Sequence, residues 1–523
     1  MGALPPLAIT LALTAWYLTP WPALNLGLAA VFSALAWRWP RWTVALAPLT
    51  FSFWFAPVHV TNQAVFPLSE LALAIVTLVV LAKAVIRLPR WWPRAERIVR
   101  AYAQRTGAPV TIGAALLLAG LTIGVLIARQ PHEALRAWRW DIAEPLVYAA
   151  LVVWRLRGRW LWRTLWAFLA SGATVAALAF AQATFAHITV APLGAGGGLV
   201  PYPGWSGLQW RTTAIIYGSP NTAGAWMARV APLALAVALW PRAARSTWRW
   251  LASLSAIALG AGLALTGSRG AWLGAAVGVT LVVVGGLAFT WRQPHLASAH
   301  HLLRWEGRGE QTAPGASASR RVARSLGWLV AGALCAALAY GTAALWLAPL
   351  VGLAGAAHGG SGEVRLLVWR AALAMGRDHP LFGVGPDQFL YYYDPRYTNH
   401  PYLIATLNGR RTAAASQPNL SHPHNLGLEL WLSAGVLGPV GFMLALVGAI
   451  WTSLPALLQN AGGREGWRGA LALGIVGALA AGVAHGLVDS AYFQPDYALA
   501  FWWGVATLVA LRRAPTRGVR GSG

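Results

Sequence analysis

The chain has 523 residues, of which 57% are hydrophobic and 11% are charged, and its formal net charge is +25. Apolar runs of about 17–25 residues recur along it, each long enough to cross a bilayer and too poor in charge to cover a water-facing surface. This pattern excludes a soluble multi-domain protein. The cations collect in short segments between the apolar runs, which argues against a nucleic-acid-binding protein despite the basic balance.

The apolar runs predict 14 transmembrane helices. They lie at about residues 5–20, 23–37, 43–58, 64–86, 109–128, 142–154, 164–186, 220–240, 250–266, 271–291, 326–348, 424–450, 469–487 and 496–511. The first run lacks a basic leader and a small-residue cleavage site, so we expect a retained helix and not a signal peptide.

Most of the 40 Lys and Arg residues lie in alternate connecting segments. Because cytoplasmic loops carry the excess of Lys and Arg, this pattern predicts that both termini are cytoplasmic. The long segment 350–423 then faces the exterior or the periplasm. We therefore predict an all-α polytopic membrane protein of about 12–14 transmembrane helices with a large helical external loop.

Composition divides the chain into five predicted regions. They are N-terminal transmembrane helices at 1–200, a central transmembrane region at 201–349 with a basic cytoplasmic linker at 292–324, an external loop subdomain at 350–423, C-terminal transmembrane helices at 424–511 and a basic cytoplasmic tail at 512–523. Within the loop subdomain, residues 363–376 have helical periodicity, and the glycine-rich run 383–387 predicts a sharp turn.

Three arginines are predicted to lie at the outer ends of spans. Arg269 occupies the run TGSRG at 266–270, at the N-terminus of the tenth span, where free amides and the helix dipole favour an anion. Its guanidinium would add a forked donor that matches phosphate oxygens. Arg365 begins the predicted loop helix, and Arg211 precedes the eighth span. The structural alternatives are that Arg269 snorkels or pairs with a glutamate, and that Arg365 is solvated. In the functional interpretation, the three arginines converge on one diphosphate.

His424 begins the twelfth span, again on the outer side, and Asn425 follows it. The positive end of that helix and any nearby arginine disfavour imidazolium, so we expect a neutral ring that can accept a proton. The alternative is a helix-capping or interfacial histidine. His485 and Asp489 are four residues apart and therefore share a helix face, which favours a buried structural hydrogen bond.

A metal site is not predicted. His422 and His424, even with His358, His379 and His400, lack a recognised zinc spacing and a completing Cys or carboxylate. The chain has no Walker A loop, which argues against an ATP-driven pump. The single cysteine, Cys335, is predicted to be a small core residue.

These motifs together resemble the O-antigen ligase and O-antigen polymerase superfamily over about residues 205–510. The ligase signature H-[NSQ]-x9-G-x-x-[GTY] is matched by His424 and Asn425, then Gly435 and Gly438. The run 266–270 is similar to the family's arginine motif. Further similar segments are 220–221, 365–369, 379–385 and 485–490. The chain departs from the family at 211–214, where RTTA stands in place of an R-x-x-G-type run.

The resemblance implies a multi-helix GT-C fold in a bacterial cytoplasmic membrane, with the active site on the periplasmic or extracellular side. It implies inverting glycan transfer from undecaprenyl diphosphate to an acceptor hydroxyl, with no metal, cofactor or ATP, in lipopolysaccharide or polysaccharide biosynthesis. In ligases the acceptor is lipid A-core. Arg269, Arg365 and Arg211 would bind the diphosphate, and His424 would accept the acceptor's proton or position its hydroxyl.

Alternatives remain within and outside the family. A polymerase would use a second lipid-linked glycan as acceptor, and a protein O-oligosaccharyltransferase would use Ser or Thr. A transporter of anions or lipid-linked sugars would use the same arginines but would not need His424.

Overall fold

The structure is a computed structural model that describes residues 4–53, 57–59, 65–86, 107–184, 200–204, 207–239, 246–291, 361–407, 410–459, 466–490 and 492–511. The predicted span 326–348, the predicted linker 292–324 and the predicted tail 512–523 lie outside these residues.

The described chain is built mainly from helices. Its N-terminal elements are α1 (Leu4–Leu18), α2 (Pro22–Arg38), α3 (Pro40–Leu46), α4 (Pro48–Phe51), β1 (Pro57–His59), β2 (Val65–Pro67), α5 (Leu68–Ile86), α6 (Ala108–Ile127), α7 (Pro131–Trp138), a π-helical turn (Arg139–Ala143), α8 (Glu144–Arg155) and α9 (Arg159–Thr184). The central elements are β3 (Val200–Gly204), β4 (Gly207–Arg211), α10 (Pro220–Leu239), α11 (Ser246–Thr266) and α12 (Arg269–Trp291).

The remaining elements form the loop and the C-terminal helices. They are α13 (Ser361–Asp378), α14 (Phe389–Tyr393), β5 (Thr406–Leu407), β6 (Arg410–Arg411), a 3₁₀ turn (Ala413–Ser416), α15 (Leu426–Ala434), α16 (Leu437–Gln459), α17 (Gly466–Gly486) and α18 (Pro495–Leu511). The strands form three small antiparallel hairpins, β1–β2, β3–β4 and β5–β6, and each hairpin connects or flanks helices.

Seven helices within the described ranges are long and apolar enough to cross a membrane, namely α5, α6, α9, α10, α11, α12 and α17. Three shorter apolar helices occupy Leu4–Leu18, Leu437–Ser453 and Pro495–Leu511. The predicted all-α polytopic membrane protein is therefore confirmed.

The prediction of a single helix at 424–450 is wrong, because α15 ends at Ala434 and α16 begins at Leu437. Gly435, between them, has a left-handed φ of +60°, which only glycine adopts without strain. A Cβ there would lie 1.9 Å from the carbonyl oxygen of Leu381. The backbone N–H of Val436 donates to the same carbonyl at 3.2 Å. The loop that contains Leu381 thus packs into the break between the two helices.

The predicted span 43–58 is also interrupted. It forms the short helices α3 and α4, the second of which begins at Pro48 and ends at Phe51. Proline has no backbone N–H to continue a helical hydrogen-bond ladder, so it suits the start of a new helix.

Small residues bring α12 and α17 into close contact. A Cβ at Gly274 would lie 2.5 Å from the carbonyl oxygen of Ala481, and one at Gly278 would lie 2.5 Å from that of Gly477. Such small-residue interfaces let membrane helices approach backbone to backbone. All 17 residues of α18 are buried within the bundle. The close contact between α12 and α17 places the start of α12 beside the end of α17.

Candidate active site

The candidate site lies at one end of the bundle, where α12 and α15 begin and α17 ends. Gly270 packs against His485 in the last turn of α17, since a Cβ at Gly270 would lie 2.9 Å from His485 Cδ2. Asn425, the residue that caps α15, donates from Nδ2 to the carbonyl oxygen of Leu487 at 3.0 Å. Two helix N-termini, each with a partial positive charge, therefore meet at this place.

His424 and Asp489 form a hydrogen-bonded pair, with 2.9 Å between His424 Nδ1 and Asp489 Oδ1. Because an ionised carboxylate only accepts hydrogen bonds, the pair assigns the hydrogen of a neutral imidazole to Nδ1. Nε2 then carries the lone pair and can accept a proton. The His424 side chain is 33% exposed, so a substrate hydroxyl can approach it.

The Asp489 carboxylate is held in its ionised form. Burial alone would raise the pKa of Asp489, but the hydrogen bond from His424 and, to a smaller extent, the positive charge of Arg365 hold that pKa well below its usual range. Oδ1 of Asp489 also accepts the backbone N–H of Ser490 at 2.9 Å. The predicted hydrogen bond between Asp489 and His485 is not formed. Their nearest atoms, Oδ2 and Nε2, are 3.8 Å apart, and the carboxylate bonds to His424 instead.

The backbone of His424 is also fixed. Its φ of +53° lies in the left-handed region, which non-glycine residues rarely adopt. Trp369 Nε1 donates to the His424 carbonyl oxygen at 3.3 Å. On the other side, Asn425 Oδ1 accepts the N–H of Leu428 at 3.1 Å and so caps α15. Asn425 is therefore a capping residue that holds His424 against the end of α17.

Arg269 and Arg365 come together from different parts of the chain. Arg269 is the first residue of α12, and Arg365 lies in the first two turns of α13. Their guanidinium groups are close enough for the like charges to interact. Arg365 also acts electrostatically on both His485 and Asp489. Two cations at a helix N-terminus, beside the histidine–aspartate pair, form a site suited to an anion.

Arg211 braces the turn that precedes α12. Its Nε donates to the carbonyl oxygen of Thr266 at 2.5 Å, and its Nη2 donates to Asn221 Oδ1 at 3.0 Å. Gly267, in this turn, has a φ of +56°, and a Cβ there would lie 3.1 Å from Arg211 Nε. These contacts place Arg211 behind Arg269, where it orders the backbone of the anion site. Its predicted contact with a diphosphate stays a prediction.

The two glycines of the sequence signature have packing roles. Besides Gly435, a Cβ at Gly438 would lie 2.2 Å from the carbonyl oxygen of Leu430. The same junction includes Gly383, with a φ of +70°. A Cβ at Gly383 would lie 2.2 Å from the carbonyl oxygen of Leu432. The signature thus combines a histidine that pairs with a carboxylate, a helix cap and two positions where no side chain fits.

Sequence reasoning missed Trp369 and Ser490. Trp369 lies four residues after Arg365, and this helical spacing puts both on one face of α13. That spacing was a usable signal. Ser490 lies in the segment 485–490 that resembles the family, but nothing in that segment singles out the serine as a site residue.

Among the residues that the structure describes, no group of three or more His, Cys, Asp or Glu side chains is placed to hold a metal ion. His422, considered above as a possible zinc ligand, contacts Glu429 instead, with 3.2 Å between His422 Nδ1 and Glu429 Oε1.

Comparison with known proteins gives one family match. Residues 254–443 match the family model described as O-antigen ligase, and this segment contains Arg269, Arg365 and His424. No curated protein matches the chain. Over this segment, the match confirms the resemblance to the O-antigen ligase and polymerase superfamily that was inferred from the sequence.

Proposed function

We propose that the protein transfers a glycan from undecaprenyl diphosphate to an acceptor hydroxyl, as an O-antigen ligase with lipid A-core or a similar acceptor. The reaction would take place at the outer face of a bacterial cytoplasmic membrane, with both termini in the cytoplasm. The observation that carries the proposal is the His424–Asp489 pair, 2.9 Å between Nδ1 and Oδ1, beside Arg269 and Arg365.

In the proposed reaction, the acceptor oxygen attacks the anomeric carbon while the bond from that carbon to the diphosphate oxygen breaks. The acceptor's proton passes to Nε2 of His424, and Asp489 stabilises the imidazolium that forms. Undecaprenyl diphosphate leaves with the electron pair of the broken bond. Attack opposite the leaving group inverts the anomeric configuration.

The diphosphate gains negative charge as it leaves. Arg269, at the N-terminus of α12, and Arg365 would hold its oxygens and stabilise this charge. Because a diphosphate with such partners is already a good leaving group, no general acid is needed on that side. Arg211 would contribute by ordering the turn that carries Arg269, through Thr266 and Asn221.

The alternatives differ in the acceptor or in the class of protein. A polymerase or a protein O-oligosaccharyltransferase would use the same pair and the same arginines with another hydroxyl. A transporter would need the cations but would have no use for an oriented imidazole. The carboxylate that fixes the ring of His424 therefore favours an enzyme.

The test uses the full chain in proteoliposomes with an undecaprenyl diphosphate-linked glycan. Separate reactions offer lipid A-core, a second lipid-linked glycan or a Ser/Thr peptide as acceptor. We expect glycan transfer with release of undecaprenyl diphosphate, and we expect His424→Ala to abolish transfer while donor binding survives. Movement of the lipid-linked glycan across the bilayer without release would reject the enzyme in favour of a transporter. Normal turnover by His424→Ala would remove His424 from the mechanism.

A further inference from the structure

A second histidine, His422, is linked to the Asp489 carboxylate through Glu429 and Ser490. His422 Nδ1 lies 3.2 Å from Glu429 Oε1, and Ser490 Oγ donates to Glu429 Oε2 at 3.2 Å. The backbone N–H of Ser490 donates to Asp489 Oδ1, the same oxygen that pairs with His424. Two sets of hydrogen bonds, joined through the covalent frame of Ser490, therefore link His422 to His424.

The middle of this link is buried. Glu429 is 2% exposed and Ser490 is 5% exposed. Taking a carboxylate out of water costs several kcal/mol unless its oxygens are satisfied. Here each oxygen has a partner from a different element. Glu429 lies in the first turn of α15 and thus links that helix to the turn that follows α17.

His422, at the other end of this set of hydrogen bonds, lies near three carboxylates. Burial alone would lower the pKa of His422, but Glu429, Asp387 and Asp141 raise it to about 9. Asp387 in turn pairs with Arg136, with 3.2 Å between Oδ2 and Nη2. His422 is therefore an imidazolium near neutral pH, and its charge compensates the buried Glu429.

We propose that Glu429 and Ser490, with His422 as the partner of Glu429, are positioning residues for the His424–Asp489 pair. The turn that carries Asp489 has its own backbone N–H on the carboxylate, so holding the Ser490 side chain holds the carboxylate as well. Without that anchor, the turn after α17 can shift and the imidazole loses its orientation. The inference rests on the proposed function, because orientation matters only if His424 accepts a proton.

The first test is Ser490→Ala in the full chain, in proteoliposomes with the undecaprenyl diphosphate-linked glycan. General-base catalysis contributes about 10²–10⁴-fold, so partial loss of orientation should lower kcat by about tenfold. The KM for the donor should stay within about twofold, because the arginines are untouched. Ser433→Ala is the matched control. Ser433 is 1% exposed on the same helix, and in the described part of the chain it takes no part in these hydrogen bonds.

The second test separates hydrogen bonding from packing. Glu429→Gln keeps an oxygen that can accept the Ser490 hydroxyl, so it should retain most of kcat. Glu429→Leu removes that oxygen and should resemble Ser490→Ala. Yield of folded protein and thermal unfolding are measured for each variant.

The outcomes distinguish the two proposals. A kcat for Ser490→Ala equal to that of Ser433→Ala, or equal losses for Glu429→Gln and Glu429→Leu, would overturn the positioning role while leaving the enzyme intact. A loss confined to donor KM would also overturn it. Failure of the wild-type protein to release undecaprenyl diphosphate would reject the proposed function, and this inference with it.

Discussion

Replacing Asp489 with asparagine removes the charge beside His424 while keeping a side chain of the same shape. Asp489 Oδ1 accepts both the His424 ring N–H and the Ser490 backbone N–H. An amide oxygen can occupy that position and preserve the tautomer of the ring. The Asp489→Asn variant therefore isolates the electrostatic contribution of the carboxylate to a transition state in which the imidazole becomes positive.

The expected size follows from the geometry. The charge centres of an imidazolium and a carboxylate in this contact are about 4 Å apart, which corresponds to ~4 kcal/mol at an effective dielectric constant of about 20. With the proton about half transferred in the transition state, the loss is about 2 kcal/mol, or about 30-fold in kcat. Asp489→Ala also loses the hydrogen-bond anchor, so its kcat should fall further, by about 10²–10³-fold.

The assay is steady-state release of undecaprenyl diphosphate from proteoliposomes at pH 7, with donor concentration varied to separate kcat from KM. Asp378→Asn is the control, because Asp378 contacts Tyr402 and not the site. A kcat for Asp489→Asn within about twofold of the wild type would show that no positive charge develops on His424. The proton-acceptor role would then be rejected.

Three further predictions follow from the site and its packing. Arg269→Lys should lower kcat/KM by about tenfold in the same assay, because a point charge cannot reproduce a two-pronged contact with phosphate oxygens; wild-type values would reject that contact. Gly435→Ala should sharply reduce the yield of folded protein, because its Cβ would lie 1.9 Å from the carbonyl oxygen of Leu381. The control, Gly427→Ala, has its nearest contact at 3.4 Å and should fold normally. Equal yields of the two variants would contradict the packing at Gly435. The folded structure raises the pKa of His422 from 6.5 to about 9, so the stability that its positive charge contributes is complete below about pH 6.5 and is lost as pH rises through about 9. The difference in unfolding temperature between the wild type and His422→Asn should therefore shrink across that window. A constant difference would show that the charge of His422 does not stabilise the fold.

The sequence predicted well what depends on local pattern. Hydropathy located α5, α6, α9, α10, α11, α12 and α17 to within a few residues, because a bilayer demands long apolar runs. The sequence also predicted which residues lie at the ends of the spans. Arg269 does start α12, and His424 does directly precede the cap of α15.

What the sequence could not supply is contact between distant segments. The link from Ser490 to Glu429 joins residues 61 positions apart, and neither residue type is unusual where it stands. The break at Gly435 was missed because the residues on both sides are apolar, and only the approach of the Leu381 carbonyl explains it. Arg211 was assigned to ligand binding by analogy, and its contacts with Thr266 and Asn221 arise from how β4 meets α10 and the end of α11.

One helix, α13, joins the loop that follows it to the His424–Asp489 pair. α13 presents Arg365 to the anion site and, one turn later, Trp369 to the backbone of His424. Grafting this loop from a relative, in order to change the choice of acceptor, would thus alter Arg365 and Trp369 together. Such engineering should keep the pair of side chains at their spacing of four and exchange only the segment beyond Asp378.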